Sequence, residues 1–306
     1  MLIRDYIRAS SLEEASERYV AGGYILFAGG TDLMVKARGK KWYQDKTFLD
    51  ISGLQELKEI REEENFLCVG AAVTLTELEE NRKVRERLPL LYEAVRSVGS
   101  TQIRNRATLA GNLANACPAS DCIPALVTLG AQVEVYGGKG KRVIPAEQIF
   151  RECRACLRHS GMHVRTCYYS DPTEKKLILE PGEMICGIRI PFPKPGTGHW
   201  FYKLTQNRTI GMAVMNLSMT VEPDERGKAR RIRLSAGGIF PRPVCLETVR
   251  GENAGKSLRE VCLEQAVNAI EQEKDLLADY PYKRRVFPEL IEEGLEALLP
   301  DGEEDS

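Results

Sequence analysis

The 306-residue chain lacks a dominant charge: 43 lysines and arginines face 44 aspartates and glutamates, a formal net charge of −1. That removes the main electrostatic argument for nucleic-acid binding. It also lacks an apolar run near the roughly 20 residues that a membrane helix requires. Its first residues, Met1-Leu-Ile-Arg-Asp-Tyr-Ile-Arg8, have no apolar stretch suited to a signal peptide, so a cytoplasmic location is expected. Repeats and low-complexity blocks are absent too. Nine cysteines without a secretory signal favour reduced thiols or metal ligands over a disulfide framework.

What is present suits a globular chain of two domains. Hydrophobic residues make up 43%, enough for proper cores at this length. Ser10 to Tyr19 reads as a capped helix, with Leu12, Ala15 and Tyr19 on one face and Gly22-Gly23 ending it. Tyr24–Phe27, Phe48–Ser52 and Phe66–Ala72 read as strands. Thr74–Glu80 reads as a helix, and Leu88–Ser97 as an amphipathic one with Leu91, Ala94 and Val95 inward. Ala125–Leu129 is expected to be helical, and Ala131–Tyr136 a strand returning through Gly137–Gly140 to Lys141–Pro145. Met184–Ile190 is another strand, and Pro193–Gly198 reads as a linker. Beyond it, Trp200–Thr205, the methionine-rich Met212–Val221 and Ala229–Gly238 form strands, the methionines read as core packing. Leu258–Gln272 and Pro288–Leu299 are expected helices, followed by the acidic tail Asp301–Ser306.

Two polar loops carry the chemistry. Ala28-Gly29-Gly30-Thr31-Asp32-Leu33 follows an apolar strand, an arrangement that aims backbone N–H groups at a phosphate. Leu109 to Pro124 is longer, made of small residues, amides and one carboxylate: Gly111, Asn112, Asn115 and Asp121. It is too polar for a core strand. Two such loops suggest a nucleotide with a long extended tail. Asp121 could equally cap a helix over Ile123–Leu129, and Lys203 could be a plain surface lysine.

Together, Ala28–Leu33 and Gln102-Ile-Arg-Asn-Arg-Ala-Thr-Leu-Ala-Gly-Asn-Leu-Ala-Asn-Ala-Cys-Pro-Ala-Ser-Asp121 resemble the two flavin loops of the FAD subunits of molybdenum hydroxylases. That family includes the FAD subunits of xanthine dehydrogenases and aerobic carbon monoxide dehydrogenases. Pro181-Gly-Glu-Met-Ile185, Lys203 and Tyr282-Lys-Arg-Arg285 fall where the family has matching features. The resemblance spans nearly the whole chain. One departure is Ala110, where the family commonly has glycine; a methyl is tolerable there if φ is negative.

The resemblance implies an α+β fold, a two-subdomain FAD-binding domain of the vanillyl-alcohol-oxidase (PCMH) type followed by a smaller α+β C-terminal domain. The implied limits are 1–193, with subdomains of about 1–55 and 56–193, then 194–306. It implies that the backbone of Ala28, Gly29, Gly30, Thr31, Asp32 and Leu33 holds the FAD pyrophosphate, with Thr31 adding a hydroxyl. Thr108, Gly111, Asn115 and Asp121 are expected to line the ribityl chain and diphosphate. Ile185 or Cys186 is expected near the adenine or ring edge, with Lys203 reaching back toward the flavin. The implied role is electron transfer, with no catalytic residue on this chain. Partner subunits carry molybdopterin (large) and two [2Fe-2S] clusters (small), and NAD or another acceptor takes the electrons. The alternatives are a flavin-free structural or assembly subunit of such a complex and, disfavoured for want of an acid–base pair, a stand-alone flavin oxidase.

One segment departs from the family, a cysteine-rich insertion at 151–178. Cys153 and Cys156 are spaced Cys-x-x-Cys, Cys167 follows, and His159 and His163 lie between. That spacing lets two thiolates bind one metal centre from a tight turn. Cys153, Cys156 and Cys167, with Cys117 or Cys122 for a fourth ligand, are candidates for an iron–sulfur cluster such as [4Fe-4S], or for zinc. The bland alternative is a solvated loop with incidental thiols.

Overall fold

Ser11 starts the first helix, α1 (Leu12–Ala21): its side chain accepts from the Glu14 amide, while Leu12, Ala15 and Ser16 are buried. A hydroxyl acceptor at this position satisfies one of the amides a helix start leaves open. Tyr19 packs against the core from the same face, as the periodicity predicts. The computed structural model describes residues 5–37, 43, 45–151, 177–206, 211–240, 242–251, 255–274 and 280–299. Cys153, Cys156, Cys167, His159 and His163 therefore lie outside the described residues, as does the acidic tail.

Helix α1 connects two strands of a small parallel sheet. Strands β1 (Asp5–Arg8), β2 (Tyr24–Phe27) and β3 (Thr47–Asp50) pair in the order β1-β3-β2. Parallel strands need a crossover connection, and α1 supplies it between β1 and β2. Between β2 and β3 the chain makes the first glycine loop and a short helix, α2 (Leu33–Ala37).

A second sheet is antiparallel. It contains β4 (Ile60–Glu63), β5 (Phe66–Gly70), β6 (Gln132–Gly137), β7 (Gly140–Pro145) and β8 (Met184–Pro191), in the order β4-β5-β8-β6-β7. Strand β8 enters last and sits in the middle, which is why six of its eight residues are buried. Between β5 and β6 run six helices: α3 (Leu75–Glu80), α4 (Arg82–Arg87), α5 (Pro89–Arg96), α6 (Thr101–Arg104), α7 (Leu109–Asn115) and α8 (Cys122–Thr128). Thr74 caps α3 in a reciprocal capping box with Glu77.

The third sheet is antiparallel and four-stranded: β9 (Gly198–Thr205), β10 (Ala213–Pro223), β11 (Ala229–Gly237) and β12 (Cys245–Val249), ordered β12-β11-β10-β9. Met215, Leu217, Met219 and Val221 join a core with α9 (Leu258–Gln272) and α10 (Tyr280–Leu298). The alternate residues of β10 face the other way, toward α8, where the Thr128 hydroxyl donates to the Ser218 carbonyl at 3.0 Å. All seven residues of α8 are buried. A separate core runs from Ala9 to Ile190 under the first two sheets. Among the described residues no helix is long and apolar enough to cross a membrane.

Three sequence expectations change. The stretch expected as one long loop contains a two-turn helix, α7. Helix α8 begins at Cys122, three residues before the expected start. Helix α10 begins at Tyr280 and continues through Pro288, the residue taken as its first. Proline is favoured at a helix start and breaks an interior hydrogen bond. Here burial of Phe287, Leu290 and Ile291 on one face outweighs that lost bond.

Candidate cofactor site between the two loops

Strand β2 delivers the first loop onto the second. A Cβ on Gly29 would lie 2.0 Å from the Arg106 carbonyl oxygen and 3.0 Å from the Ala107 Cα, so only glycine permits the approach. Gly30 has φ 70°, and a Cβ there would meet the Phe27 ring at 2.1 Å. The loop thus wraps one aromatic ring and rests on the backbone just before α7. Ala28 packs on the main core, Thr31 is half-buried in the turn, and Leu33 opens α2.

A polar clasp joins the loops. The Lys36 ammonium lies 2.6 Å from Asp32 Oδ2 and donates to Asn115 Oδ1 at 2.5 Å. The other carboxylate oxygen, Asp32 Oδ1, is buried with no hydrogen-bond partner among the described residues. An acceptor in that state is costly unless something else supplies a donor.

The second loop is shaped by Thr108, 2% exposed. Its hydroxyl accepts from the Gly111 amide at 2.9 Å and caps α7. A Cβ on Gly111 would come within 2.9 Å of that hydroxyl. Ala110 lies inside α7 at negative φ, so its methyl meets the condition set by the sequence. The helix ends at Ala116, φ 47°, a left-handed conformation that costs a non-glycine residue about 1 kcal/mol or more. Past it, the Ser120 hydroxyl donates to Asn112 Oδ1.

Asp121 is buried, and its carboxylate is met from another sheet. Oδ2 accepts from the Lys203 ammonium at 2.6 Å, and Oδ1 from the Asn216 amide at 2.9 Å. Lys203 also donates to the Ser97 carbonyl at 2.7 Å. Burial pushes the Asp121 carboxyl up, while Lys203 and then Asn216 pull it back. Although Asp121 precedes α8, its side chain makes no capping bond; the ion pair takes it instead. Lys203 is thus an interior lysine, 13% exposed.

Ile185 sits apart from these contacts, 7% exposed on β8 and part of the main core. Its neighbour Cys186 donates to the Glu134 carbonyl at 3.4 Å, and burial pushes its thiol up to about 11. Cys122 is fully buried in the first turn of α8, and burial pushes its thiol strongly upward. Among the described residues no group of three or more His, Cys, Asp or Glu is placed to hold a metal ion.

Sequence reasoning missed three residues of this arrangement. Lys36 was detectable as the i+4 partner of Asp32 on a helix. Asn216 was detectable as an amide within an apolar strand, a position that demands partners. Phe27 carried no signal, because its neighbour's lack of a side chain becomes meaningful only in three dimensions.

Residues 2–193 match the protein family described as the FAD binding domain in molybdopterin dehydrogenase. The nicotinate dehydrogenase FAD-subunit of Eubacterium barkeri is 28% identical over 243 residues, covering 78% of this chain and 76% of that protein. The caffeine dehydrogenase subunit beta of Pseudomonas sp. (strain CBB1) is 31% identical, over 78% of this chain and 74% of the relative. Among solved structures, a carbon monoxide dehydrogenase from Hydrogenophaga pseudoflava superposes with a TM-score of 0.80 at 25% identity, covering 96% of both chains.

Proposed function

Because this chain belongs to the family of FAD-binding domains in molybdopterin dehydrogenases, we propose that it is the FAD-containing electron-transfer subunit of a molybdopterin-dependent hydroxylase or dehydrogenase. In this reading it works in the cytoplasm beside a large molybdopterin-binding subunit and a small [2Fe-2S] subunit. Electrons pass between those clusters and NAD or another acceptor, and the organic substrate binds on another chain. Bound FAD supplies the redox chemistry, accepting electrons singly and releasing them in pairs.

The observation that carries the reading is the buried Asp32 Oδ1, without a partner among the described residues, beside two glycines packed too tightly for any side chain. A carboxylate oxygen only accepts, so a hydroxyl of the ribose or ribityl chain matches it. The backbone of Ala28 to Leu33 is suited to the pyrophosphate, with Lys36 supplying positive charge and Thr31 a hydroxyl. Thr108, Gly111, Asn115 and Asp121 would line the ribityl chain and diphosphate, and Lys203 would reach toward the flavin. Ile185 contributes apolar surface from β8. The division at 1–193 and 194–306 agrees with the span of the family match and with the separate third sheet, which supports treating 194–306 as its own domain.

The insertion at 151–178 is a proposed iron–sulfur site resting on Cys153, Cys156 and Cys167. Cys122, fully buried in α8, is the candidate fourth ligand. Iron and acid-labile sulfide assays decide the point; iron-free protein with full flavin content removes the cluster. For the main reading, the chain is purified, supplied with FAD and scanned for oxidised-flavin absorbance near roughly 450 nm. Protein that stays colourless would instead be the flavin-free structural subunit. Molybdenum and iron in the co-purified complex test the partners.

A further inference from the structure

Three residues stand in one row across the third sheet. Lys203 on β9 pairs with Asn216 on β10, which pairs with Gly237 on β11. Directly paired residues present their side chains to the same face. That face receives the end of the second loop, Pro118 to Asp121, which joins α7 and α8, two helices of the other core.

Every polar group of the Asn216 side chain is committed there. Its amide nitrogen donates to the Ser120 carbonyl at 3.1 Å and to Asp121 Oδ1 at 2.9 Å; its oxygen accepts from the Gly237 amide at 3.0 Å. Ser120 offers only an acceptor and Gly237 only a donor, so the orientation of the amide is fixed by its partners. The residue is 0% exposed. Gly237 has no side chain because a Cβ would stand 2.3 Å from the Asn216 oxygen and 2.9 Å from the Pro118 carbonyl. Next to it, the Gly238 amide donates to the Pro118 carbonyl at 2.7 Å, and Lys283 of α10 donates to the Gly238 carbonyl at 2.6 Å. The row and the adjoining Gly238 amide therefore take up three acceptors of the loop: Pro118, Ser120 and Asp121.

We propose that Asn216 is a positioning residue of the FAD site: from the third sheet it holds the Pro118–Asp121 segment and, through Asp121, the Lys203 ammonium in place for the cofactor. This rests on the FAD reading above. Asn216 does not touch the cofactor; it acts through Asp121. A leucine of similar size would fill the space but leave Gly237 N–H and Asp121 Oδ1 without partners. An aspartate would replace two donors with acceptors beside an existing carboxylate. Two carboxyl groups sharing one site keep a proton between them at low pH and repel when both ionise. The titratable groups facing them are Lys203 from β9 and the Cys122 thiol from α8, with Lys283 behind the Gly238 carbonyl.

FAD titrations of the full-length, flavin-depleted protein across about pH 6 to 9 test this. Wild-type affinity is expected to be flat. Asn216→Leu should bind about tenfold more weakly at every pH, and Asn216→Asp progressively more weakly as pH rises, by about a hundredfold at the alkaline end. A merely structural role would weaken both variants without that pH slope. Wild-type-like binding by Asn216→Asp at all pH values overturns the inference. A readout on the wild type needs no variant to fold: FAD should slow amide hydrogen exchange over 235–240 as well as in both loops. Protection of the loops with 235–240 unchanged overturns the role of Asn216 alone, whereas wild type that takes up no FAD overturns the FAD reading beneath it.

Discussion

At Gly29 the first loop lies on the Arg106 carbonyl with no side chain between, whereas at Asp121 the second loop hangs from the ammonium of Lys203 and the amide of Asn216. The first is held by volume, the second by donors. A contact held by volume tolerates loss of charge but no added atom. A buried contact held by donors tolerates modest changes of shape, but losing one partner strands a charge. The two loops of one proposed site should therefore fail under different substitutions.

The largest expected effect breaks the polar side. Lys203→Met leaves the buried Asp121 carboxylate without its cation, and should cost about 3–5 kcal/mol of stability in denaturant unfolding. Adding Asp121→Asn to that variant removes the stranded charge and should recover much of the loss; a double variant no more stable than the single would show that the pair is not a unit. Next is the volume side. Gly29→Ala forces the loops apart, and about 3 kcal/mol of stability with most FAD retention should be lost. Gly29→Ala binding FAD normally would mean that the close approach has no functional role.

Two smaller tests sharpen the contrast. Thr108→Ala removes the cap of α7 and should cost about 1 kcal/mol, read as a lowered Tm with weaker FAD binding. The smallest concerns the turn that leads into Ile185. Glu183 accepts two hydrogen bonds from Arg142 and one from the Glu180 amide. Arg142 holds its carboxyl below the usual 4.5, against some desolvation and with help from that amide. A carboxyl lowered by folding stabilises above its unfolded value, and the contribution is lost as pH falls through the lowered one. Glu183→Gln should thus cost less than about 1 kcal/mol at neutral pH and flatten the acid limb of a Tm–pH profile. An unchanged acid limb would dismiss Glu183 from acid stability.

Much of the site was legible because its chemistry is local. Ala28 to Leu33 and Thr108 to Asp121 each carry their glycines, amides and carboxylates in a short run, and the strand before the first loop announces its direction. The helix α7 was less legible. Leu109, Ala110 and Leu113 give it only a brief apolar face, and two asparagines with a glycine read as loop by propensity. Its formation depends on the Thr108 cap and on burial of Leu109, Ala110 and Leu113. Pro288 misled for the related reason that a local breaker was overruled by packing against the third sheet.

Lys203 and Asn216 mark the boundary between the two kinds of information. The sequence by itself determined strands β2, β3 and β5 to β11, the two loops and the family they belong to, but not the edge strands β1, β4 and β12. That Asp121 would meet Lys203 and Asn216 is of another kind, because 82 and 95 positions separate the partners. Only the tertiary structure, by setting α8 against β10 and aligning Lys203 with Asn216 across two strands, brought the donors to a buried carboxylate that could not remain without them.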